Sequence, residues 1–146
     1  MKKLFTIGTN SKSLRHFAEL LGSSGVDCVV DIRLNNTSQL VGYSKRDDLS
    51  FVLELLGIAY EHHPELAPDK DLLASFKKDG DWDAYVERFE RLIAERDMLS
   101  TGRNLLSLRE SPCLLCSEDD PERCHRRLVA EHWAKHLPDV EIEHLR

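Results

Sequence analysis

The segment VDCVVDIR, residues 26–33, decides the fold. Its apolar run ends in the charged residues Asp31 and Arg33, a pattern typical of a central strand in a parallel sheet. Further candidate strands lie at 3–8 (KLFTIG), 58–62 (IAYEH), 111–116 (SPCLLC) and 140–145 (VEIEHL). Segments with apolar residues at helical spacing separate these strands. The alternation predicts one three-layer α/β/α domain over residues 1–146, with a largely parallel central sheet.

The composition indicates an ordinary globular chain. Of its 146 residues, 41% are hydrophobic and 32% are charged, and no apolar run approaches the roughly 20 residues of a membrane span. Because we find no signal-peptide pattern, and the chain has too few cysteines for a disulfide framework, we expect a cytoplasmic protein with reduced thiols. The net charge of −6 makes broad, nonspecific nucleic-acid binding unfavourable. A small anionic ligand or a nucleotide remains open as a partner, and no membrane partner is expected.

Polar residues follow three of the predicted strands. Ser11 comes after the first strand, Asp31 and Arg33 end the second, and Cys116 and Glu118 follow the strand at 111–116. The carboxyl ends of neighbouring parallel strands meet in one crevice, where ligands bind. Arg33 is the better anion candidate, since its planar fork suits phosphate or carboxylate. Ser11 either donates to an anion at a helix N-terminus or only caps that helix.

The stretch CLLCSEDDPERCHRR, residues 113–127, holds three of the four cysteines. Cys113 and Cys116 have the spacing of half a zinc site, but side chains three apart on a strand point to opposite faces. We therefore expect Cys113 in the core. The pair Asp120-Pro121 predicts a helix start. That start places Cys124 near the positive end of a helix, which lowers the pKa of a thiol.

Three arrangements of the two remaining cysteines stay open: a metal site with His125, a reversible disulfide, or two reduced thiols. A closed metal site needs about four ligands and only three candidates cluster here. A reducing cytosol opposes a persistent disulfide. We therefore favour reduced thiols, with Cys124 the more acidic, and we assign no metal and no cofactor. Simple packing of Cys124 and capping by His125 is the alternative.

Several motifs in order resemble a known family. They are TIG at 6–8, VVDIR at 29–33, GIAY at 57–60 and CSEDDPERCHR at 116–126. Together they are similar to the domain of unknown function 488 family, over nearly the whole chain. The resemblance implies a presumed enzyme without a defined activity. The residues at its motif positions are Asp31, Arg33, Cys116, Glu118, Cys124, His125 and Arg126.

These observations predict a small cytoplasmic enzyme, a hydrolase or a transferase. Its substrate would carry a phosphate or another anion, with a nucleotide or nucleic-acid component as the candidate. The expected substrate-binding residues are Ser11, Asp31, Arg33 and Arg126, and the expected catalytic residues are Cys116, Glu118, Cys124 and His125. The alternative is a ligand-sensing or interaction module that binds the same anion without turnover. Thiol reactivity separates the two, because only the enzyme requires an activated cysteine.

Overall fold

The computed structural model of the protein describes residues 1–37 and 42–146. These residues contain a five-stranded, all-parallel sheet with the strand order β3-β2-β4-β1-β5. The strands are β1 (Lys2–Gly8), β2 (Cys28–Asp31), β3 (Ala59–His62), β4 (Pro112–Cys116) and β5 (Val140–Leu145). The helices are α1 (Leu14–Ser24), α2 (Arg46–Leu55), α3 (Lys70–Asp79), α4 (Trp82–Glu95), α5 (Met98–Leu108) and α6 (His125–His136). The predicted α/β fold class is confirmed.

The helices cover both faces of the sheet. The chain runs from β1 to β2 to β3 in one direction across the sheet and returns through β4 to β5. Because parallel crossovers are right-handed, this reversal puts α1 and α2 on one face and the later helices on the other. Phe17 and Leu53 pack in the first layer, and Phe89, Leu105 and Trp133 pack in the second. The connections of β1 and β2 diverge from that of β4, so a crevice opens at the carboxyl ends of these strands.

Strand β4 directs its two cysteines to opposite faces, as its sequence predicts. Cys113 packs with the residues of α1 and α2, whereas Cys116 packs with those of the opposite layer. The Cys113–Cys116 pair therefore cannot chelate one ion. Of the two cysteines of β4, only Cys116 contacts the layer that contains α6.

The predicted helix start at Asp120-Pro121 is wrong. Helix α6 begins at His125, with Cys124 as its N-cap. The Asp120 carboxylate accepts the main-chain N–H of Glu122 at 2.9 Å, so it closes a turn that precedes the helix. Because the helix starts later than predicted, Cys124 is the N-cap residue of α6 and does not lie within its first turn.

In the polar segment at 34–46, which sequence alone leaves irregular, the described residues include a 3-10 turn, Gly42–Ser44, before α2. Residues 38–41 of this segment lie outside the described part of the chain. Within residues 1–37 and 42–146, no helix has the length and apolar character required to cross a membrane.

Candidate active site

A cavity of about 420 Å³ lies beyond the carboxyl ends of β2 and β4. Arg33, Cys116, Cys124 and His125 all line it, so two of the three strand ends that the sequence predicts to meet do so, whereas the end of β1 contributes no residue to the lining. Five of the remaining lining residues are apolar or aromatic and four are polar: Leu34, Pro68, Leu73, Phe76 and Tyr85, then Asn35, Ser117, Glu118 and Arg123. The cavity thus combines polar side chains with a partly apolar wall.

Arg33, one of the lining residues of this cavity, has an unsatisfied donor. Its Nε and Nη2 atoms each donate to the Asp31 carboxylate at 2.8 Å. Its Nη1 atom is buried and has no hydrogen-bond partner. Among the described residues, the Thr9 hydroxyl is the one other buried side-chain polar group without a partner. A buried donor left without a partner costs about 1–3 kcal/mol. Because Arg33 lines the cavity, an anionic ligand there would relieve that cost.

Asp31 holds Arg33 in place. The carboxylate is fully buried and also accepts the Tyr60 hydroxyl at 2.6 Å and the Asn36 amide at 3.3 Å. Burial opposes ionisation of Asp31, but the hydrogen bonds and charge of Arg33 outweigh burial and hold its pKa below the usual range. Asp31 does not line the cavity. Its contacts make it a positioning residue for the guanidinium.

Cys116 and Cys124 form a coupled pair. Their sulfurs and one ring nitrogen of His125 all lie within 4.8 Å of one another, and all three residues are buried. Burial raises the pKa of Cys124, but the hydrogen bond from Cys116 and the charge of Arg126 bring it down to about 7. Burial and the neighbouring Cys124 raise the pKa of Cys116 well above its ordinary value. Of the two thiols, Cys124 is therefore the more acidic, and a thiolate forms on it near neutral pH.

The His125 ring has a fixed tautomer. Its Nε2 atom lies 2.7 Å from the main-chain oxygen of Ile32, and because a carbonyl only accepts, Nε2 carries the proton. In the neutral ring Nδ1 is therefore the acceptor. The ring also packs on Phe89, with centroids 5.8 Å apart. His125 is thus an oriented group that can accept a proton.

Arg126, which the sequence predicts to hold an anion, is fully buried behind the sulfurs and does not line the cavity. Its Nη1 atom donates to the Cys116 sulfur at 3.2 Å and to the Glu118 carbonyl at 2.5 Å. Its Nη2 and Nε atoms donate to the Asp119 carbonyl at 3.0 Å and the Thr6 hydroxyl at 3.3 Å. These contacts hold the loop after β4 and place a positive charge beside the thiols.

Two other predicted residues lie nearer to solvent. Glu118 is exposed and lines the cavity. Ser11 is exposed, has a left-handed backbone with φ 60°, and lies outside the cavity lining. Ser13, not Ser11, caps α1 by accepting the His16 N–H at 3.1 Å.

The two histidines at the end of β3 make structural contacts outside the cavity. His62, the last residue of β3, donates through Nε2 to the Arg33 carbonyl at 3.0 Å. His63 lies between Glu61, at 2.9 Å, and Glu65, at 2.5 Å. Neither histidine lines the cavity.

A metal ion could use Cys116, Cys124 and His125 as ligands. Among the described residues, no fourth histidine, cysteine or carboxylate joins this group. A closed tetrahedral site therefore lacks a ligand, whereas an open site with an exogenous fourth ligand has the required donors.

The sequence analysis missed the aromatic wall of the cavity. Phe76 belongs to α3, a helix that was not predicted, although its start and end signals are present. Asp69 caps it by accepting the Leu72 N–H at 2.8 Å, and Gly80 ends it in the left-handed conformation. The support of Asp31 by Tyr60 was missed because it depends on pairing between neighbouring strands.

Fold and cavity together define a doubly wound α/β protein with a cysteine–histidine site where the strand connections reverse direction. The family described as Domain of unknown function DUF488 matches residues 13–133, and the chain belongs to this family. Neither the curated proteins nor the solved structures contain a match.

Proposed function

We propose that the protein is a small enzyme that acts on a phosphate-bearing or otherwise anionic substrate in the 420 Å³ cavity. Arg33 binds the anion and the Cys124 thiolate is the nucleophile. The observation that carries this proposal is the buried, unpartnered Nη1 atom of Arg33, a residue that lines the same cavity as the Cys116–Cys124 pair. An anion donor and an activated thiol in one cavity are the elements of a nucleophilic enzyme.

The proposed reaction has two halves. The Cys124 sulfur forms a bond to the electrophilic centre of the substrate, and the bond to the leaving group breaks. The leaving group takes a proton supplied through Glu118 or His125. Water in a hydrolase, or a second substrate in a transferase, then loses a proton to Nδ1 of His125, displaces the sulfur and restores the thiolate.

The wall of the cavity favours a substrate with an apolar or planar part beside its anion. Leu73 and Phe76 of α3 and Tyr85 of α4 line this wall. The Phe76 and Tyr85 rings contact each other, with centroids 4.9 Å apart. Aromatic side chains suit a planar ring, and a nucleotide or nucleic-acid component combines such a ring with a phosphate.

Alkylation should identify Cys124 as the reactive thiol. Because its pKa is lowered to about 7, we expect its rate with iodoacetamide to rise through a midpoint near that pH. Peptide mapping by mass spectrometry after short exposures measures each cysteine separately. The internal controls are Cys113, whose pKa burial raises, and Cys28, whose pKa burial and Glu61 raise to about 12. Equal slow rates at all four cysteines would refute the nucleophile assignment and favour the binding module.

Anion binding should depend on the fork of Arg33. We expect phosphate, pyrophosphate or a nucleoside 5′-monophosphate to raise the melting temperature, and an uncharged nucleoside to have a smaller effect. Arg33→Lys retains a cation beside Asp31 but loses the fork, so affinity should fall roughly 10- to 100-fold, the equivalent of about 1.5–3 kcal/mol. The matched control is Arg91→Lys, which changes an exposed pair with Glu87. Unchanged affinity in Arg33→Lys would remove Arg33 from the site.

A further inference from the structure

The loop after β4 brings two cysteines together that are separate in sequence. Cys116 is the last residue of β4 and Cys124 is the N-cap of α6. Arg126 holds the loop between them through the main-chain oxygens of Glu118 and Asp119. The two sulfurs therefore remain within 4.8 Å of each other in the reduced protein.

The surroundings of this pair differ from those of the other two cysteines. Cys116 and Cys124 line the cavity, so a small reagent can reach them, whereas Cys28 and Cys113 do not. Arg126 lies against the pair and stabilises negative charge on sulfur. Cys124 precedes the helix in an extended conformation, with φ −131° and ψ 141°, so its side chain can rotate without unwinding α6.

We propose that Cys116 and Cys124 are a redox modification site, in which peroxide converts the pair into a reversible disulfide. This inference rests on the proposed function in one respect, the Cys124 thiolate. Cys124 is the sulfur that the oxidant attacks, and Cys116 is the resolving thiol. The disulfide consumes the nucleophile, so oxidation switches the proposed enzyme off until a thiol reductant restores it.

The chemistry balances with hydrogen peroxide as the oxidant. Cys124 releases its proton to solvent and the thiolate attacks one peroxide oxygen, so a sulfur–oxygen bond forms and the oxygen–oxygen bond breaks. The departing hydroxide takes a proton back from solvent and becomes water. Cys124 is now a sulfenic acid. Cys116 gives its proton to His125 and attacks the Cys124 sulfur, a sulfur–sulfur bond forms, and the hydroxyl group leaves as a second water with that proton. Two thiols and one peroxide thus give one disulfide and two waters.

The test treats the freshly reduced full chain with a small excess of hydrogen peroxide, blocks the remaining thiols and measures intact mass. We expect the number of blocked thiols to fall from four to two, a loss of two hydrogen atoms, and a peptide cross-link between Cys116 and Cys124. Dithiothreitol should restore all four thiols. The inference would be overturned if the disulfide included another cysteine, or if no disulfide formed under conditions that oxidise Cys124.

The variant Cys116→Ser removes the resolving thiol and keeps a small hydroxyl donor in its place beside Cys124 and Arg126. Without the resolving thiol, Cys124 should gain two oxygen atoms as a sulfinic acid that dithiothreitol does not reverse. The matched control is Cys28→Ser, which keeps a donor toward Glu61 and should still form the disulfide. The same oxidation products in Cys116→Ser and the native chain would refute a resolving role.

The outcomes separate this inference from the proposed function. Fast alkylation of Cys124 without a disulfide would contradict the redox site and leave the nucleophile in place. Slow alkylation of Cys124 would contradict both. If the purified protein contained one equivalent of zinc and resisted peroxide until a chelator removed the metal, the two cysteines would be metal ligands and the redox proposal would be wrong.

Discussion

Replacing Gly8 with alanine is expected to destabilise the protein by about 2–4 kcal/mol. Gly8 ends β1 beside Cys116, and a Cβ atom there would lie 1.8 Å from the main-chain oxygen of Glu118. The Cβ atom is fixed by the backbone of residue 8 and the oxygen belongs to the backbone of Glu118, so no side-chain rotation relieves the overlap. The loop after β4 must move, and the same Glu118 oxygen would lose its bond from Arg126.

Urea denaturation of the variant measures this effect, and Gly22→Ala is its matched control. Gly22 lies within α1, and a Cβ there would meet nothing within 4 Å. Alanine in a helix is favoured over glycine by about 0.5–1 kcal/mol, so this control should be slightly more stable. If both variants had the same free energy of unfolding, the loop after β4 would be able to move away from residue 8 at little cost.

Replacing Arg126 with methionine is expected to cost about 3–5 kcal/mol, as for a buried charge network that loses one partner. The variant removes every donor of the guanidinium and leaves the Glu118 and Asp119 carbonyls without it. It also removes the positive charge beside the thiols. The pKa of Cys124 should therefore rise toward its ordinary value, and alkylation at pH 7 should slow.

Arg127→Met is the matched control for this variant. Arg127 pairs with Glu131 on the partly exposed side of α6 at 2.6 Å and donates to the Glu122 carbonyl at 2.7 Å. These two contacts together contribute about 1–2 kcal/mol. Their loss should leave Cys124 alkylation unchanged. If Arg126→Met keeps native stability and fast alkylation, Arg126 neither holds the loop nor activates the thiol.

The strands, and the meeting of the ends of β2 and β4, were predictable because they depend on local pattern. An apolar run ending in charge identified β2 and Arg33, and the register of β4 separated Cys113 from Cys116. The family resemblance marked Arg126 as important but not its role. The five N–H donors of a guanidinium can bind an anionic ligand or main-chain carbonyls equally well. Only the folded structure shows that Arg126 binds the carbonyls of the loop after β4.

The missed features depend on competition between local signals. Asp120 and Pro121 favour both a helix start and a turn, and the turn is formed because the Asp120 side chain bonds within it. The acidity of Cys124 follows from its contact with Cys116 and Arg126, and sequence spacing alone does not specify that contact. Anion binding, thiol chemistry and substrate class remain predictions for the experiments described above.

The strand order also restricts how the chain folds during synthesis. Strand β1 pairs only with β4 and β5, so the first strand made lacks a neighbour until more than a hundred residues have followed it. Strand β4 fills the position between β1 and β2. Such non-local pairing slows folding, and a ribosome-bound nascent chain that stops before β4 would leave both edges of β1 and one edge of β2 unpaired. Chaperones that recognise exposed strands are therefore expected to bind this intermediate before the last quarter of the chain has emerged.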